Sequence, residues 1–442
     1  MKINIYNIIA VTIALMALTG CRKESEVSDF ANPNGRICKT YSQQFEAVWQ
    51  GMDQGYVFWG RDTVDWDARY EQYKPIFEEF DKRPRQVSYT EYQMAWEGLF
   101  EGLLDHHLMG MFYTPNGKMA AYVSPGHNDY SHNTSANYER QIELEVLQNR
   151  KDLVRYIGCD PSDYGSINIP GTYFALIKGK KAGELIAYFR FTNFYLSDIY
   201  RYRDALPNGY SAQAPLRAFY GPRYWEGAME EASYINNDSV VGIIMDLRGN
   251  GGGSTGDLQP FIASLSQGNN TVGYTRIKDG FGRLDYSPWS PYNIHSPSRH
   301  ILKEKPIVVL ADINSVSCAE LATMLIKNLP NGTFIGERTY GAIGALQPQS
   351  HLAHDNFYSG CMGDYDFYQY GPSIYEYKDI FPFYVYTSTY HMVDAEYNDV
   401  EGIGVQPDFE VKYNRDRLVN DKKDLQLENA IYYIKNGRVI GG

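Results

Sequence analysis

Val240-Val241-Gly242-Ile243-Ile244-Met245 is apolar at every position, and it ends abruptly in Asp246-Leu247-Arg248-Gly249-Asn250-Gly251-Gly252-Gly253. A strand with one wet face alternates polar and apolar residues, so an unbroken run predicts a strand covered on both faces. That commits the chain to a sheet with helices on either side. The pattern recurs. Pro306-Ile307-Val308-Val309-Leu310-Ala311 leads into Asn314-Ser315-Val316-Ser317-Cys318-Ala319-Glu320 and a helical segment from Leu321 to Leu329. Thr333-Phe334-Ile335 then runs into Gly336-Glu337-Arg338-Thr339-Tyr340-Gly341. Strand–loop–helix units in succession predict a mainly parallel sheet, with ligands at the C-terminal ends of its strands. Both unusual loops fall at such ends.

Each loop has a physical use. A serine at the start of a helix sits among unpaired N–H groups at the positive end of the dipole. There Ser315 or Ser317 is either a helix cap or a nucleophile, because attack on a carbonyl generates an oxyanion that such donors stabilise. Glycines bring backbone amides close to a ligand, which suits a phosphate, an oxyanion or a plain tight turn. A phosphate loop needs Gly-Lys-Ser/Thr, which is absent. A dinucleotide fingerprint needs a glycine where Ser254 stands, and Asp279 alone would be its acid. No cofactor is expected. His351 and His354 have a metal-ligand spacing without the accompanying acid, and no metal is expected either.

The remainder of the chain frames these loops. Lys2, the apolar stretch Ile5 to Leu18 and Leu18-Thr19-Gly20-Cys21 read as an export signal, residues 1–20, too short for a mature membrane span. Its ending resembles the bacterial lipobox, which implies lipidation of Cys21, a membrane anchor, and a cell-envelope location. Residues 21–37 are charged and turn-rich, as a tether is. Export permits disulfides among Cys38, Cys159, Cys318 and Cys361, with no pairing specified. Phe45, Val48, Trp49 and Met52, then Tyr70, Tyr73 and Phe77, recur at helical spacing, and a further helix is expected over Tyr89 to Leu104. These make an N-terminal helical domain, 38–118. Residues 119–442 make an α/β domain. It contains strands at Ala120–Val123, Tyr173–Ile177 and Leu185–Phe191, and helices at Leu216–Tyr234 and Asp257–Leu265. An aromatic insertion lies near 344–395, and the closing helix covers Leu425–Lys435. The net charge of -12, without a basic cluster, excludes a nucleic-acid surface.

Asp246 to Gly253, Ser315 to Glu320 and Gly336 to Gly341 resemble, in order and spacing, the core of the C-terminal processing and tricorn-type serine peptidases. Leu103, Asp105 and His107 match that family's Leu-x-Asp-x-His, and Glu401, Gly404, Val405, Pro407 and Asp408 match its Glu-x-x-Gly-Val-x-Pro-Asp. The resemblance spans about Leu103 to Val411. It implies an α/β fold with a ClpP/crotonase-like β-α core, an N-terminal helical domain, and an irregular insertion before the C-terminal strand and helix. It implies Ser317 as nucleophile, with the N–H groups of Cys318 and Gly253 as oxyanion donors and Gly252 in support. The processing branch carries a lysine base where this chain has Ala342, so a Ser–Lys dyad does not carry over. The tricorn branch uses a histidine, a glutamate and a second serine. Carried over, His107 is the base and Glu401 orients it, while His106 replaces the serine that precedes the histidine. Asp105 reads as a structural acid and Glu320 as a first-turn acid bracing the helix. The implied function is a serine peptidase acting on peptides or proteins. Relatives use the fold without catalysis, so an inactive ligand- or peptide-binding lipoprotein is the alternative. No motif specifies an oligomeric state.

Overall fold

The computed structural model describes residues 38–125, 136–159, 171–201, 213–221, 233–266, 268–280, 282–295, 305–344, 361–363 and 379–440. The signal segment 1–20, Cys21, the tether 21–37, His351 and His354 lie outside the described residues.

Helices α1 (Tyr41–Gly55), α2 (Trp66–Lys82) and α3 (Tyr89–Phe100) open the chain. Thr40, Asp65 and Ser88 precede them, and each side chain accepts an N–H of the first turn. Such caps satisfy donors that the helix itself leaves unpaired. The expected run of α3 to Leu104 is cut short at Phe100, because Gly102 adopts a left-handed φ of 80°. Asp105, His106 and His107 therefore occupy a turn and not a helix end. Strands β1 (Met109–Tyr113) and β2 (Ala120–Val123) follow, then α4 (Ala136–Gln148), β3 (Leu153–Cys159), β4 (Thr172–Lys178) and β5 (Leu185–Phe191).

The helix expected over Leu216–Tyr234 is α5 (Gln213–Tyr220), which Gly221 ends at φ 109°. Residues 222–232 lie outside the described residues, and Tyr234–Asn236 is a single tight turn. Next come β6 (Val240–Asp246), β7 (Asn269–Ile277), β8 (Ser290–His295), β9 (Ile307–Ala311), α6 (Cys318–Lys327) and β10 (Gly332–Gly336). The helix expected at Asp257–Leu265 is present as successive 3-10 and π-helical turns over Thr255–Leu265 and not as a regular α-helix. Pro260 lies inside it and supplies no N–H for an α-helical ladder. Strands β11 (Cys361–Gly363), β12 (Phe383–Tyr386) and β13 (Tyr390–Val393) fall within the insertion, and β14 (Phe409–Glu410) and α7 (Leu425–Asn436) close the chain.

The main sheet has the order β14-β10-β9-β6-β5-β4-β3, parallel from β14 to β5 and antiparallel beyond. Successive residues of its central strands serve opposite faces. Ile243, Val309 and Ala311 pack with Ala322 and Leu325 of α6. Ile244, Val308 and Leu310 pack with Leu427, Ala430 and Ile431 of α7. Full burial of each such side chain contributes about 1.5–3 kcal/mol, which explains why the runs are apolar throughout. A second core joins the helices to the sheet β11-β12-β1-β2, with Trp96 stacked on Phe112 at 3.8 Å between centroids. Antiparallel β13-β7-β8 forms a third sheet. Thr387 and Ser388 lie in the short link from β12 to β13, and hence between two sheets.

Candidate active site

Ser317 immediately precedes α6 at φ 58° and ψ -117°. A non-glycine residue held at positive φ costs on the order of 1–3 kcal/mol and persists only where its surroundings impose it. The imposing contacts are identifiable. Val316 N–H donates to Asn250 O at 3.0 Å, and Gly252 N–H donates to Asn250 Oδ1 at 2.9 Å. Gly252 lies so close beneath the turn that an added Cβ would sit 2.7 Å from Val316 O and 2.8 Å from Ser317 Cβ. Among the described residues, the N–H groups of Gly253 and Cys318 donate to no acceptor, although Phe194 brackets Gly253 through bonds to Gly252 O and from Ser254 N–H. Ser315 is committed elsewhere, its hydroxyl donating to Leu247 O at 2.8 Å. The Cys318 thiol is buried and burial pushes its pKa well up.

Glu320 does more than brace a helix terminus. Its carboxylate accepts from Ser317 N–H (3.0 Å), Thr339 Oγ1 (2.6 Å), Gly341 N–H (2.7 Å) and Ala342 N–H (2.8 Å). The next two N–H groups, of Ile343 and Gly344, turn to Glu401 at 3.0 and 2.9 Å. Four successive amides are thus divided between two buried acids. One acid holds the serine turn. The other accepts His106 N–H at 2.9 Å and so holds the histidine turn. Burial pushes Glu320 up to about 7 against the pull of its donors. Burial, reinforced by the Asp105 charge, pushes Glu401 well above the usual carboxylate range.

A nitrogen of the His107 ring and carboxylate oxygens of Asp105 and Glu401 lie within 4.8 Å of one another. The two acids are not equivalent. Asp105 Oδ1 accepts from His107 N–H (2.8 Å) and Ser388 Oγ (2.9 Å), while Oδ2 accepts from Thr387 Oγ1 (2.6 Å) and Ser388 N–H (2.7 Å). An ionised carboxylate has about four lone-pair sites, so Asp105 is saturated. Glu401 accepts three donors and keeps one site on Oε1, the oxygen facing the histidine turn. The trio is compact enough for a small cation, but a saturated Asp105 is a poor ligand, and the donor set suits a hydrogen-bonded imidazole better. The His106 ring instead packs on Tyr340, 4.8 Å between centroids.

Ala342 is fully buried with its N–H on Glu320, and it brings no amine to the site. Sequence reasoning missed Thr387 and Ser388. Their signal is a polar Thr387-Ser388-Thr389 break between the strand-like runs ending at Tyr386 and beginning at Tyr390.

Residues 216–411 match the model of peptidase family S41. A nisin-resistance protein of Lactococcus lactis subsp. lactis is 32% identical over 130 residues, 26% of this chain. The chain spans 37% of the length of that curated relative. Among solved structures, a candidate peptidase from Parabacteroides merdae ATCC 43184 aligns over 89% of this chain and 96% of its own, with 19% identity and a TM-score of 0.57. Mature CPAF aligns over 91% and 99%, with 12% identity and a TM-score of 0.52. At these identities the structural likeness shows the fold. The match to the model of peptidase family S41 covers residues 216–411, and the likeness to solved structures carries the same fold over most of the chain.

Proposed function

We propose that this chain is a serine peptidase working through an acyl-enzyme on Ser317, with His107 as base and Glu401 as the residue that orients it. The observation that carries this reading is the run of amides from Gly341 to Gly344, which ties the serine turn to the histidine turn through Glu320 and Glu401. His107 takes the hydroxyl proton as Ser317 Oγ attacks the scissile carbonyl. Negative charge collects on the carbonyl oxygen, where the N–H groups of Gly253 and Cys318 are available to receive it. His107 returns the proton to the leaving amine, and water, activated in the same way, releases the acyl group. Glu401 stabilises the imidazolium through its remaining lone pair.

A fluorophosphonate probe tests the reading directly. The wild-type chain should label covalently, with the adduct mapping to Ser317, and Ser317→Ala should abolish labelling without lowering the melting temperature. A folded wild-type chain that stays unlabelled and cleaves no peptide library would favour an inactive binding protein. We also propose that the protein is exported and lipid-anchored, supported by Leu18-Thr19-Gly20-Cys21. Cys21→Ala should shift the expressed protein from the membrane fraction to the soluble one, and retention in the membrane would count against the anchor.

A further inference from the structure

The strand that follows His107 is β1, and its antiparallel partner is β12. Their register pairs Met109 with Tyr386 and Gly110 with Val385. Continued back two residues, that register sets Ser388 opposite His107. The sheet therefore delivers the β12–β13 link to the histidine turn. What it delivers is polar: two hydroxyls and an N–H, all three donated to Asp105 at 2.6 to 2.9 Å. Asp105 in turn holds His107 N–H at 2.8 Å.

We propose that Thr387 and Ser388 are positioning residues of the peptidase site, acting through Asp105 to fix the His107 turn. The inference rests on the reading of His107 as the base. Three features argue for a built device. Asp105, Thr387 and Ser388 are each fully buried. None of the three forms an ion pair with Lys or Arg among the described residues, so Asp105 is compensated by hydrogen bonds alone. The four bonds also engage all the lone pairs of Asp105, so its carboxylate is committed to holding the turn. Ser388 Oγ further contacts Gly344 O at 3.3 Å, and Gly344 N–H is one of the Glu401 donors. The same serine thus touches the segment that holds the orienting acid. An added Cβ on Gly344 would lie 2.4 Å from that hydroxyl, which shows how closely the two strands of chain meet.

The test uses the full chain carrying Thr387→Val with Ser388→Ala. If the double variant does not fold, Thr387→Val alone replaces it. Thr387→Ser keeps the hydroxyl and serves as the conservative control. In the variant lacking the hydroxyls, the probe-labelling rate and kcat should fall by about 100-fold, the scale expected when a reacting group is misplaced by about an ångström. KM should change little, and Thr387→Ser should restore most of the rate. A second readout does not depend on turnover: in the Ser317→Ala background, the His107 ring resonances should shift on removing the hydroxyls and return with Thr387→Ser. A folded variant with wild-type labelling, kcat and His107 resonances would overturn the inference while leaving the peptidase reading intact. If the wild-type chain never labels, the peptidase reading fails. The His107 resonances then decide the inference on their own, moved if it holds and unmoved if it does not.

Discussion

A buried carboxylate without a cation is stable only when several donors converge on it, and Glu320 meets that requirement with one hydroxyl and three amides. Glu320→Gln keeps the shape but turns an NH2 group toward N–H groups that need an acceptor. Each buried donor left unsatisfied costs about 1–3 kcal/mol, so the variant should unfold at clearly lower urea. The pH dependence carries a second signature. The folded carboxyl titrates near 7, above its ordinary value of 4.5. A raised carboxyl contributes stability that is complete below the unfolded pKa and is lost as pH rises through the folded one, here by about 3 kcal/mol at most. Urea midpoints should decline from pH 5 to pH 8 in the wild type and decline less in Glu320→Gln; equal slopes would remove Glu320 from the account. Gly252→Ala tests the neighbouring loop. Its Cβ would collide with Val316 O at a φ of 89°. Probe labelling should fall by on the order of 100-fold or more, comparable to losing an oxyanion donor, while full labelling would show that the turn tolerates displacement.

The edge strand β2 shows how a side chain substitutes for a strand. Gln93 accepts Tyr122 N–H at 3.0 Å and donates to Tyr122 O at 2.6 Å, covering an edge that would otherwise template pairing with another chain. Gln93→Ala should leave labelling intact but increase concentration-dependent association, read by light scattering; unchanged scattering would mean that the edge is protected elsewhere. Strands of this kind also explain what the sequence made legible. β5 and β2 matched their expected bounds, and the runs that became β6 and β9 are apolar because helices cover both faces. Less visible were β1 and α4. Met109–Tyr113 pairs not only with nearby β2 but with β12, a partner more than two hundred residues away, and α4 buries Glu143 against Arg190 beside its apolar residues. Ser317, His107 and Glu401 could be proposed from the sequence because a motif gives each a local spacing. Thr387 and Ser388 had none: their role comes from strand register, which no short window of sequence contains.

Across the molecule, the deepest charges join elements far apart in the chain. Arg248 contacts Asp246 at 2.6 Å and Asp424 at 2.9 Å, while Arg190 contacts Glu143 at 2.6 Å. Burial alone would raise Asp246, but the Arg248 and Arg190 guanidiniums outweigh it and hold it well below the usual carboxylate range. A depressed carboxyl contributes stability that is lost as pH falls, the reverse of Glu320, so stability should peak on the acid side of neutrality. Arg248→Met would strand Asp424 and leave Asp246 with Arg190 as its remaining cation, and should cost about 3–5 kcal/mol, measured as loss of the cooperative melt; a near-wild-type melting temperature would show that Asp424 finds another partner.

The run of amides from Gly341 to Gly344 carries a consequence for the life of the chain. Because neighbouring peptide units serve opposite halves of the site, a slip by a single residue disorders both halves together. The proposed nucleophile and the proposed base are thus held by one short segment. On the proposed reading, the chain would gain its chemistry only once residue 401 had joined the fold.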